Sequence, residues 1–141
     1  MTKRRLGLPR LLTRAQIRED TAHREVADRE RSRAAHDEAY VVQLDALRNA
    51  RDQQSNAVDA SSFQRQRSQL AAGARAVDEA AEAALAAEHE LRIAQMRLFE
   101  TARERKTLQR LEDRDRAVLA VLASRASQRA LDDLVVRKWP T

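Results

Sequence analysis

The sequence predicts an all-α protein: a long antiparallel two-helix coiled-coil hairpin with a protruding C-terminal helix. Three observations predict it. Phe63, Leu70, Val77, Ala84, Leu91 and Leu98 recur every seven residues, the spacing of a helix that shows one seam to a partner helix. The only glycines are Gly7 and Gly73 and the only prolines Pro9 and Pro140, so little in the chain bends or stops a helix. The 141 residues are 43% hydrophobic but only 3% aromatic. Much of the apolar content is alanine, whereas a globular core draws on aromatic side chains for buried area. The composition favours a thin helical hairpin, and residues 1–141 are read as one such domain.

Thr2 to Gly7 reads as a frayed basic leader. Pro9 suits a first helical turn, where its missing N–H costs nothing. The first helix is expected over about 9–56. It has good helix formers but a weak apolar period, with Leu12, Ala22, Val26, Tyr40, Leu44 and Leu47 interrupted by Glu19 and Arg33. Residues 52–62, DQQSNAVDASS, hold the turn chemistry, and the turn is expected at about 57–61. Asp59, Ser61 and Ser62 are candidate N-caps for a second helix over about 62–138. At ~1.5 Å per residue that helix would exceed 100 Å.

In an antiparallel hairpin, facing residues have numbers with a constant total. Leu47 with Leu70, Tyr40 with Val77, Val26 with Leu91, Arg33 with Ala84 and Leu6 with Leu111 each total 117, which places the reversal at residues 58–59. Glu19 opposite Leu98 is the weak pair, with the Glu stem laid along the seam. On this arithmetic the first helix is used up near Leu111. The remaining stretch includes Ala117, Val118, Leu119, Ala120, Val121, Leu122 and Ala123, then Leu131, Leu134, Val135, Val136 and Trp139. A helix that is apolar all round wants burial. It is expected to meet a partner protein, with the second helix folding back or self-association as the other ways to cover it.

The 27 basic and 22 acidic residues, net +5, are mostly mixed, as on a solvated helix face. The mixture breaks at residues 1–14, which are basic without acids, and at 78–90, which are acidic without Lys or Arg. With no cysteine there is no thiolate metal site, disulfide or thiol nucleophile. His23, His36 and His89 are scattered and no carboxylates around them have metal-ligand spacing, so no metal is expected. No glycine-rich phosphate loop exists. Carboxylate pairs such as Asp132–Asp133 lack a pocket in which to do acid–base work. No enzyme activity and no cofactor are expected. The basic leader is too short and sparse for a nucleic-acid-reading region. Pro9 and Arg10 break the apolar face that membrane-surface binding would need, and no apolar run approaches a bilayer span or a signal-peptide core.

The run ARERKTLQRLEDRDR (Ala102 to Arg116), followed by SQRALDDLVVRKW (Ser127 to Trp139), resembles the FliJ family, as do the segment from Arg5 to Asp20 and the Phe63–Leu70 region. The intervening AVLAVLASRA departs from the charged or aromatic residues usual there. The resemblance implies a cytoplasmic stalk of the bacterial flagellar type III export apparatus, peripheral at the inner membrane through its partners. Such a stalk docks in the export ATPase hexamer, promotes its assembly and activity, contacts the export gate and handles export chaperones. On that resemblance the ATPase-facing residues would be Leu11, Leu12, Arg14, Val118, Leu122, Leu131, Asp132, Leu134 and Arg137. The gate-facing residues would be Tyr40, Leu44, Phe63 and Leu70, which also belong to the expected seam. The alternatives are the equivalent stalk of a virulence-type secretion system and a homo-oligomeric coiled-coil scaffold.

Overall fold

The computed structural model describes residues 7–54 and 59–139. Two helices account for nearly all of them: α1, Gly7–Gln53, and α2, Ala60–Lys138. They pack against each other as a helical hairpin, and there is no strand among the described residues. α1 begins two residues before Pro9. The ring still falls in the first turn, where no backbone partner for its nitrogen is needed. The Pro9 carbonyl accepts a hydrogen bond from the Thr13 hydroxyl at 2.9 Å. Residues 57 and 58 of the expected turn lie outside the described residues, as do residues 1–6.

The start of α2 is set by Asp59, one of the three expected caps. Its carboxylate accepts hydrogen bonds from the Ser62 amide at 2.7 Å and the Ser61 hydroxyl at 3.3 Å. Its carbonyl accepts the first helical bond, from the Phe63 amide at 3.0 Å. One side chain thus satisfies an amide that the first turn leaves without a helical partner. Ser61 and Ser62, the other candidates, sit inside the helix. At the far end Arg137 and Lys138 occupy the last turn, where positive charge opposes the helix dipole.

The chain packs as two units. One is built from residues 20–99 and the other from 1–19 and 100–141. In the first, the seam of α2 runs through Gln66, Leu70, Gly73, Val77, Ala80, Ala84, Ala87, Leu91, Ala94 and Leu98, all buried or half-buried. The steps alternate four and three, the coiled-coil period. The seven-residue ladder is therefore one of two interleaved rows. Gly73, Ala80, Ala87 and Ala94 belong to the other row, which the sequence pattern hid because small residues carry a weak hydrophobic signal.

The register differs from the expected one by three residues. Leu47, whose expected facing residue is Leu70, packs on Gly73, and those two numbers total 120: its Cδ1 lies 3.2 Å from the place a Gly73 Cβ would occupy. Cross-helix ion pairs lie nearer that register than 117: in this unit Arg97–Glu25 at 3.0 Å totals 122 and Arg29–Glu90 totals 119, and in the other Arg18–Glu104 at 3.4 Å totals 122. A shift of three keeps the same helix faces together, so apolar periodicity alone cannot separate the two registers. Glu19 also finds a better neighbour than Leu98: its carboxylate accepts a hydrogen bond from the guanidinium of Arg105.

In the second unit Leu12 and Ala15 are buried on α1, and Thr101, Arg105, Leu108 and Glu112 are half-buried on α2. Beyond Glu112 every described residue of α2 is exposed. Among the described residues only Leu12, Ala15, Ala22, Leu47, Ala87, Leu91 and Ala94 count as core. More than half are alanines, so the helices approach closely and each contact contributes little apolar area.

Candidate partner-binding surfaces

The residues expected to face the ATPase all fall in the unit formed by 1–19 and 100–141. Leu11, Val118, Leu122, Leu131 and Leu134 are about half exposed or more, and Arg14, Asp132 and Arg137 are exposed. Leu12 is the exception: at 8% exposure its side chain belongs to the seam. Leu11 and Arg14 line an open surface depression of about 630 Å³ with Gly7, Pro9, Arg10 and Thr13. From residue 113 to Trp139 the helix presents nine large apolar side chains to solvent. Val118, Leu119, Val121 and Leu122 form one cluster of them, and Val135, Val136 and Trp139 lie at the end. Monomeric soluble surfaces rarely carry so long an apolar stretch unless it binds something.

The residues expected to face the export gate fall in the unit formed by 20–99. Tyr40, Leu44 and Leu70 are half-buried in the seam, and Phe63 is 49% exposed. Tyr40 also lines a groove of about 330 Å³ with Asp37, Ala81, Ala84, Leu85 and Glu88. The groove opens where residues 33–39 of α1 are all exposed and α2 brings the small Ala81 and Ala84 to its floor. Arg33, expected to cover Ala84, turns along its own helix to Asp37 at 3.6 Å.

The two units carry opposite charge. Residues 1–19 and 100–141 hold 16 Lys and Arg against 8 Asp and Glu, net +8; residues 20–99 hold 11 against 14, net −3. The whole-chain value of +5 therefore hides an uneven distribution. Asp59 titrates below its ordinary value: hydrogen bonds from the Ser62 side chain, the Ser62 amide and Ser61 hold its carboxyl under the usual carboxylate range. No group of three or more potential metal ligands exists among the described residues. No described helix is long and apolar enough to cross a membrane.

No curated protein and no solved structure matches the chain. The family model for the flagellar FliJ protein matches residues 5–140, which covers both helices and nearly all of both units. The helical hairpin and that match agree, and the chain belongs to the FliJ family, the non-enzymatic stalk proteins of flagellar type III export.

Proposed function

We propose that this chain seats its apolar C-terminal helix in the export ATPase ring and promotes the ring's assembly and activity. The carrying observation is that residues 113–139 are all exposed, nine large apolar side chains among them. Val118, Leu122, Leu131 and Leu134 supply apolar contact. Leu11, Arg14, Asp132 and Arg137 supply polar and apolar contacts from the same unit. The mechanism is steric and electrostatic: a ligand shifts the ring toward its assembled state only by binding that state better. The half-buried Tyr40, Leu44 and Leu70, with the more exposed Phe63, form the surface for the export gate, and export chaperones are further partners. The chain works at the cytoplasmic face of the inner membrane, held there by those partners.

The test is hydrolysis by the cognate export ATPase with and without the purified chain. The full chain should raise the rate. Deleting residues 117–141 should remove that effect while circular dichroism shows the remaining helix intact. No stimulation by the full-length chain would sink the reading.

A further inference from the structure

α2 carries two exposed stripes that match each other when one is reversed. On one, Asp78, Glu82 and Leu85 follow at steps of four and three; on the other, Arg129, Arg125 and Leu122 follow at the same steps in the opposite direction. All six residues are exposed. Laid antiparallel, Asp78 meets Arg129, Glu82 meets Arg125 and Leu85 meets Leu122, each pair totalling 207. The match continues outward on both sides. Arg75 meets Asp132, and, past His89 opposite Val118, Arg92 meets Asp115. Four of the six pairs are opposite charges and none is a like-charge pair.

The charges in question are available. Asp78, Glu82, Arg125 and Arg129 have no hydrogen-bond or ion-pair partner among the described residues, nor do Arg75, Asp115 and Asp132. Arg92 is shared with Glu88 at 2.9 Å. The surroundings reinforce the sign on each side. Residues 76–91 contain five acids and no Lys or Arg, while residues 117–131 contain Arg125 and Arg129 and no acid.

Both stripes lie on one uninterrupted helix, Ala60–Lys138, with no glycine or proline between residues 74 and 139. We propose that the stripe at 115–132 docks antiparallel on the stripe at 75–92 of a second copy of this chain. Opposite charges set the register and the encounter rate, and the central leucines supply apolar contact. The contact is independent of the ATPase reading. Because it covers Val118 and Leu122, the self-associated chain and the ring-bound chain are exclusive states.

Sedimentation velocity over a range of concentrations at low and high salt tests this. The 16.0 kDa chain should show a concentration-dependent rise in mass at low salt, weakened at high salt as exposed charges are screened. R125E/R129E and D78R/E82R should each associate at least about tenfold more weakly. Their equimolar mixture should recover association, because each reversed stripe then meets its complement. Unchanged circular dichroism shows that the variants fold. A single 16.0 kDa species at every concentration, reversal variants that associate like the parent, or a mixture that stays monomeric would each overturn the proposal.

Discussion

Leu47 and Gly73 face each other across the hairpin, with Leu47 Cδ1 3.2 Å from the point a Gly73 Cβ would occupy. Gly73 thereby costs helix propensity and gives room to a buried leucine at the same time. Replacing glycine by alanine inside a helix is worth about 1 kcal/mol. The atom in the way is the tip of a side chain in a two-helix seam, which has solvent on both flanks to move toward. G73A is therefore expected to stabilise the chain by somewhat less than about 1 kcal/mol. G73L, which needs the whole space Leu47 fills, should destabilise it. Urea unfolding followed by circular dichroism distinguishes these signs.

Asp59 is expected to make stability depend on acid. Its folded value lies below the ordinary 3.8, so its contribution is present above that ordinary value and disappears as pH falls through the lower folded one. D59A should lower the melting temperature at neutral pH. D59N retains the capping geometry and should lose less, and it should remove this part of the pH dependence. Thermal melts between neutral and strongly acidic pH check it: if the gap between the parent and D59N is flat across that range, the capping carboxylate is not the titrating group.

The Arg105 Nε–H donates to the Glu19 carboxylate, and the two side chains are 28% and 14% exposed. Arg18 donates to Glu104 at 3.4 Å with both side chains far more open. Hydrogen bonds to partly buried charges are worth about 1.5–3 kcal/mol, and exposed ion pairs about 0–1 kcal/mol. E19A should thus cost clearly more than E104A. Equal losses in paired unfolding curves would contradict the ranking.

Leu91 and Leu131 separate packing from binding. Leu91 is 5% exposed and Leu131 62% exposed. L91A should cost about 2 kcal/mol or more through lost burial and the cavity left behind. L131A should stay within about 0.5 kcal/mol of the parent in stability, and in the proposed function should reduce ATPase stimulation. A large stability loss for L131A would mean that this residue is core.

The helical hairpin was legible in the chain alone because the signals for it are local. Seven-residue spacing from Phe63 to Leu98, the scarcity of glycine and proline, and the capping chemistry around Asp59 all act over a few residues. The register was not legible in this way. A slide of three residues brings the same faces together, so 117 and 120 look alike in periodicity, and only long-range contacts separate them: Leu47 entering the space at Gly73, and arginines reaching Glu25 and Glu104. Glu19, a flaw in the one-dimensional pattern, became a partner for Arg105 once the helices were set side by side. The pattern therefore determined which faces meet, and the tertiary structure decided which residues meet, because helix formation is local while register depends on the shape and charge of the opposite helix.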